Sequence, residues 1–246
     1  MIFGYAVALV LSLQAEGLKT LDMTVGKGAE AVSGDRITVE YTGNLLDGHV
    51  FDSSVGKPPF TFALGAGEVI KGWDQGFAGM KVGGRRILSI PSALAYGDHD
   101  QEGIPGKSTL IFEVKLLRVE KKEDKPVLDV VEVAPGAGVA AKAGDKCSVH
   151  YTGKFLNGFV FDSSVPRKEP IVFTLGAKGL IKGFDQGVLG MKVGGKRTIT
   201  IPYQMAYGPQ GRPPVIPAFA TLIFDLELMK IEHPDATATP PKPPVK

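Results

Sequence analysis

Apolar and polar side chains alternate along Arg36-Ile-Thr-Val-Glu-Tyr41, the period-two pattern of a half-buried strand. Asp47-Gly48 then supplies a hairpin turn ahead of His49-Val-Phe51, and Asn157-Gly158 supplies one in a second stretch of the same pattern. Arg85–Ile90 predicts another strand, stopped by Pro91, and Thr109–Leu117 predicts the longest. A helix is expected over Lys71–Met80 and again over Lys182–Met191. Each would be only about two to three turns long. The first contains Gly76 and Gly79, so packing must hold it rather than propensity. The predicted class is α+β, a curled antiparallel sheet wrapped on one short helix, made twice.

The duplication is visible residue by residue. Tyr41-Thr-Gly-Asn-Leu-Leu-Asp-Gly-His-Val-Phe-Asp-Ser-Ser54 returns as Tyr151-Thr-Gly-Lys-Phe-Leu-Asn-Gly-Phe-Val-Phe-Asp-Ser-Ser164, identical at 10 of 14 positions. Ile70–Arg86 returns as Ile181–Arg197, identical at 13 of 17. The offset drifts from 110 to 111 to 112, which means single-residue loop insertions between fixed elements. A period this long is a whole domain copied once, not a solenoid unit. The expected divisions are a first domain over 16–120, a charged linker over 121–126, a second domain over 127–232 and a proline-rich tail over 233–246. Ile2–Leu13 is nearly all apolar, with Ala15 at a cleavage-like position, so 1–15 is expected to be an export signal. No Lys or Arg precedes it, and the alternative is a strand or helix packed on the body of a cytoplasmic protein.

Composition narrows the function. With 28 Lys+Arg against 26 Asp+Glu, the net charge of +2 does not support nucleic-acid binding by phosphate neutralisation. No run of eighteen apolar residues is present to span a membrane as a helix. The single cysteine, Cys147, rules out an intrachain disulfide, and in an alternating strand Cys147 and His150 point to opposite faces. Gly190-Met-Lys-Val-Gly-Gly195-Lys196-Arg197 approaches a phosphate-cradling loop, but Arg197 stands where the magnesium-binding hydroxyl belongs. Histidines 49, 99, 150 and 233 do not recur between copies, so no duplicated base or nucleophile is present. No metal or other cofactor is expected.

What does recur is aromatic and apolar with one carboxylate: Tyr41/Tyr151, Phe51/Phe161, Asp52/Asp162, Ile70/Ile181, Trp73/Phe184, Tyr96/Tyr207 and Phe112/Phe224. Phenols, an indole and an aspartate make an uneconomical core, because every buried polar atom needs a partner. Aromatic walls with a few placed polar groups describe a peptide or small-molecule pocket.

At these residues the sequence resembles the FKBP family, peptidyl-prolyl cis/trans isomerases that bind tacrolimus and rapamycin. The matching strings are Tyr-Thr-Gly43, Phe-Asp-Ser-Ser54, Val-Ile-Lys-Gly-Trp73, Met-Lys-Val-Gly83, Leu-Ala-Tyr-Gly97 and Ile-Phe-Glu-Val114. Copy two carries Leu-Ile-Lys-Gly-Phe184, Met-Ala-Tyr-Gly208 and Val-Ile-Pro217. The resemblance implies a sheet of about five strands around the helix, with the pocket between them. It implies a first pocket of Tyr41, Phe51, Phe60, Val69, Ile70, Trp73, Ile104 and Phe112, with Trp73 as its floor, and Asp52 and Tyr96 as the groups acting on the amide. The second would be Tyr151, Phe161, Ile171, Leu180, Ile181, Phe184, Val215, Ile216 and Phe224, with Asp162 and Tyr207. The family pattern further implies that the Ile70 N–H and the Tyr96 hydroxyl bind substrate carbonyls.

The expected activity is prolyl isomerisation without nucleophile or metal, by a monomer acting on proline-containing polypeptides. The alternative is a peptide-binding or chaperone module with one weak domain. Departures from the family pattern are Phe184 for Trp, Ile171 for Phe, Gly103 for an apolar residue, and the acidic run Asp98-His-Asp-Gln-Glu102.

Overall fold

In the computed structural model, residues 17–234 are described; the apolar segment 1–15 and the tail beyond Pro234 lie outside them. The chain divides into two compact units, Met1–Lys125 and Pro126–Lys246.

In the first unit the alternating segment becomes β2 (Arg36–Asn44), which buries Ile37 and Val39 completely. The same sheet holds β1 (Lys19–Thr24), β3 (Val50–Ser53), β4 (Phe60–Ala63), β5 (Arg85–Ile90) and β6 (Leu110–Glu120). The order is β1-β5-β6-β2-β3, and β4 takes the other half of the β2 edge. All pairings are antiparallel. The second unit repeats the plan with β7 (Asp129–Ala134), β8 (Lys146–Phe155), β9 (Val160–Ser163), β10 (Ile171–Thr174), β11 (Lys196–Ile201) and β12 (Leu222–Glu232), ordered β7-β11-β12-β8-β10 with β9 also on β8. Each sheet therefore has six strands rather than about five. The additional short strands β1, β4, β7 and β10 are only four to six residues long, too short to announce themselves by pattern, and are fixed by pairing.

One short helix packs on each sheet: α1 (Lys71–Gly76) and α2 (Lys182–Val188). Both are shorter than the expected Lys71–Met80 and Lys182–Met191. The chain must turn at Gly79 and Gly190, whose φ of 76° and 78° lie in the left-handed region that ends a helix. Glycine also sets how closely each helix lies: a methyl on Gly72 would meet Ile90 Cγ2 at 2.3 Å, and one on Gly183 would meet Ile201 Cγ2 at 2.3 Å. Each core fills the space between helix and sheet, around Phe62, Trp73, Phe77, Leu88 and Phe112 in the first unit and Phe155, Phe184, Met191, Ile199 and Phe224 in the second.

A buried aspartate fastens the end of each last strand. Lys121 Nζ lies 2.7 Å from Asp35 Oδ2, and His233 Nδ1 lies 2.8 Å from Asp145 Oδ1. The phosphate-loop-like segment is the turn before β11. There Arg197 donates to the carbonyls of Gly187 and Leu189 at 2.9 and 2.8 Å and to Glu132 at 2.8 Å, a structural role that Arg86 repeats on Gly76, Ala78 and Asp22.

Candidate binding and isomerase site

The register of β2 assembles the polar corner. Tyr41 faces the core, Gly43 pairs with Asp52 of β3, and Val39 pairs with Phe60 of β4, so Asp52 and Phe60 lie along one edge with Tyr41 between them. The Tyr41 hydroxyl donates to Asp52. In the second copy the Tyr151 hydroxyl donates to Asp162 Oδ2 at 2.5 Å. Ser54 and Ser164 lock these corners by accepting the N–H of Tyr41 and Tyr151 at 2.9 and 2.8 Å.

The floor is aromatic in both copies. Trp73, at the start of α1, is only 5% exposed and meets Tyr41, Phe112 and Phe60 edge-on at centroid distances of 5.0, 5.2 and 6.0 Å. Its Nε1 is buried without a hydrogen-bond partner. Phe184 meets Phe224, Phe173 and Tyr151 at 5.3, 5.9 and 6.0 Å. Gly43 makes the wall possible, since a methyl there would sit 2.6 Å from the Phe51 ring and 2.7 Å from the Phe112 ring, and Gly153 repeats this against Phe161 and Phe224.

The remaining predicted residues sort clearly. Tyr41, Phe51, Val69, Ile70, Ile104 and Phe112 pack in one cluster with Trp73; Tyr151, Phe161, Ile171, Leu180, Ile181, Tyr207, Ile216 and Phe224 pack in one with Phe184. Phe60 and Tyr96 are exposed at the rim, at 41% and 39%. Val215 stands outside the packed cluster, 50% exposed, while its neighbour Ile216 is buried. The Ile70 carbonyl accepts from Trp73 N at 2.9 Å, and as the helix cap its own N–H lies outside the intrahelical ladder.

The electrostatics follow from this packing. Burial, the Asp52 carboxylate and nearby Tyr96 push the Tyr41 hydroxyl well above its ordinary pKa, so it remains a donor. Burial and Asp162 raise Tyr151 likewise, with Arg167 pulling back. Burial opposes ionisation of Asp162, but Arg167 and Tyr151 outweigh it and hold the carboxyl below its ordinary value. The Cys147 thiol is raised to about 11 by burial and the negative charge of Asp145 and Asp185, which leaves it a core residue and no nucleophile.

Sequence reading missed several supports. Phe62 and Phe77 flank Trp73 at 5.6 and 5.3 Å. Asp74 accepts the N–H groups of Gly65 and Gly67, and Asp185 accepts that of Gly176. Both aspartates, and both serines, stand in the duplicated blocks, so duplication itself was the available signal. Shallow grooves of about 390 and 270 Å³ also recur, lined in part by Tyr41 and Tyr151, but their polar linings differ between copies, Glu40 against His150 and Lys115 against Glu227. Neither groove includes the floor residues Trp73 or Phe184.

The family model for FKBP-type peptidyl-prolyl cis-trans isomerases matches residues 27–117 and 138–229. The chain belongs to this family. Similar relatives include the peptidyl-prolyl cis-trans isomerase FKBP9 of Rattus norvegicus, 40% identical over 207 residues that cover 83% of this chain and 36% of the relative. FKBP10 of Homo sapiens is 39% identical over 203 residues, 82% of this chain and 35% of the relative. FK506-binding protein 4 of Aspergillus oryzae is 53% identical over 107 residues, 44% of this chain and 23% of the relative. The chain thus spans about a third of the length of its first two relatives. Within its described residues, each of its two FKBP domains pairs one aromatic floor with one tyrosine–aspartate corner.

Proposed function

We propose that both domains catalyse cis/trans isomerisation of X-Pro bonds in polypeptides, non-covalently and without a metal. The observation that carries this reading is the duplicated convergence of a floor ring, a Phe51/Phe112-type wall and a tyrosine–aspartate corner on the helix side of each sheet. Rotation about the amide breaks resonance against a barrier of about 18–20 kcal/mol. The twisted carbonyl is less polar than the planar one, so an apolar cleft favours the transition state over either ground state. Each tenfold of acceleration requires about 1.4 kcal/mol of such differential binding. The proline ring would lie on Trp73 or Phe184. The Ile70 N–H and Tyr96 hydroxyl, or Ile181 and Tyr207, would hold the flanking carbonyls. Asp52 and Asp162 act through their tyrosines as electrostatic organisers rather than as proton donors. Tacrolimus-like and rapamycin-like macrolides would compete for the same floor.

One observation favours unequal domains. Ile171 replaces Phe60 and Val188 replaces Phe77 around the smaller floor of Phe184, so the second pocket grips less aromatic surface. The test is catalysed isomerisation of a short X-Pro peptide by the whole chain, with and without rapamycin, alongside Tyr41→Phe/Asp52→Val and Tyr151→Phe/Asp162→Val variants. Rapamycin-sensitive turnover that falls partly with each pair supports two working sites. Loss with only the first pair makes the second domain a docking module. No turnover by the folded chain refutes catalysis.

A further inference from the structure

The two copies hold the same tyrosine–aspartate corner yet balance its charge differently. From Asp162 to Ile171 the chain has one residue more than from Asp52 to Phe60. The longer turn brings Arg167 Nη1 to 2.7 Å from Asp162 Oδ1 and Nη2 to 3.4 Å from the Tyr151 hydroxyl. The shorter turn offers only Lys57, whose Nζ is 4.0 Å from Asp52 Oδ1. Both side chains of that pair are more than half exposed, at 65% and 51%. A planar guanidinium forked over a carboxylate and its tyrosine satisfies the acceptors; an ammonium at that distance and exposure neutralises weakly.

Two other segments bordering each site differ in the same sense. Ahead of the floor, exposed Glu68 precedes Ile70 in the first copy, where it also lies 3.8 Å from Arg36; exposed Lys178 precedes Ile181 in the second. In the loop after the rim tyrosine, Asp98, Asp100 and Glu102 are exposed and only Lys107 opposes them. That run ends at Gly103, where a methyl would lie 3.8 Å from Phe51 Cβ, so it borders the wall beside Asp52. The matching loop between Tyr207 and Leu222 has one charged residue, Arg212. Across the three segments, five carboxylates stand against two cations around the first site, with Arg36 of β2 beside one of the five, and two stand against four cations around the second.

We propose that the two sites divide prolyl segments by charge: the first takes those with Lys or Arg beside the proline, and the second takes those with Asp or Glu beside it. This rests on the isomerase reading and adds the substrate class. The length of one turn sets the difference at the corner, and the two rims extend it.

The native chain permits a direct test, because its one tryptophan is Trp73 and its fluorescence reports the first site alone. The whole chain is titrated with Ala-Lys-Pro-Phe and Ala-Glu-Pro-Phe at low and high salt, while the amide resonances of Ile70 and Ile181 are followed by NMR. At low salt the lysine peptide should bind the first site about fivefold tighter than the glutamate peptide, with the order reversed at the second site, and both preferences should shrink to within about twofold at high salt. Asp98→Lys with Glu102→Lys, two exposed changes outside the pocket, should erase the preference at the first site and leave the second unchanged. Equal affinities, the same preference at both sites, or a preference insensitive to salt would overturn charge sorting while leaving binding and turnover intact. Binding of neither peptide at either site would remove the isomerase reading, and this inference with it.

Discussion

Trp73 carries an uncompensated polar atom, and the second domain already contains the replacement. Its indole is 5% exposed and Nε1 has no acceptor. Trp73→Phe removes that N–H and should return about 1–3 kcal/mol, the usual penalty for an unsatisfied buried donor. Against this stand about 1 kcal/mol of lost transfer energy for the smaller ring and about 1 kcal/mol for a cavity of roughly 40 Å³. The terms nearly cancel, so the first domain should change stability by less than about 1 kcal/mol. Trp73→Ala keeps the relief but deletes the ring that Tyr41, Phe62, Phe77 and Phe112 pack against, and should cost about 3–5 kcal/mol. The assay is denaturant unfolding of the whole chain followed by amide NMR signals from the first sheet, since the substitution removes the fluorophore. A Phe variant destabilised as much as the Ala variant would refute the reasoning, because the indole N–H would then not be a net cost. Isomerase activity should fall several-fold in Trp73→Phe and further in Trp73→Ala.

Gly43→Ala should cost about 1–3 kcal/mol and lower first-site binding, because the new methyl meets the Phe51 and Phe112 rings at 2.6 and 2.7 Å; rapamycin titration followed by Trp73 fluorescence reads it directly. Arg197→Met should leave the carbonyls of Gly187 and Leu189 without their donor and destabilise the second domain by about 1–3 kcal/mol. Arg197→Lys should restore only part of this, since an ammonium cannot also fork to Glu132; thermal unfolding of the three chains gives the ranking. In acid the second domain should unfold before the first. Asp145, Asp162, Asp225 and Glu232 there are held below their ordinary values of 3.8 and 4.5, as is Asp22 in the first. A lowered folded pKa means the unfolded chain binds protons more readily, so this stability is present above the ordinary carboxylate range and lost as pH falls through the lowered values. Trp73 fluorescence against far-ultraviolet dichroism across pH 5 to about 2 separates the domains, and simultaneous loss or an earlier tryptophan transition would contradict the assignment.

Local pattern determined the elements that carry their own signal. The strands around Arg36–Tyr41 and Arg85–Ile90, the Asp-Gly and Asn-Gly turns and the start of each helix at Lys71 and Lys182 follow from periodicity and turn chemistry, which act between near neighbours. Duplication did the rest at the sequence level: residues kept in both copies, down to Asp52 and Asp162, marked the corner that the fold assembles. Tertiary structure decided what depends on distant partners. The helices stop at Gly76 and Val188 because the chain must turn back onto the sheet, and β4 and β10 exist because β2 and β8 offer them an edge. The fork of Arg167 onto Asp162 against the looser Lys57–Asp52 pair depends on where a turn of one extra residue places a cation. Spacing along the chain does not encode a contact that closes only when two strands and the turn after them have been fixed in space.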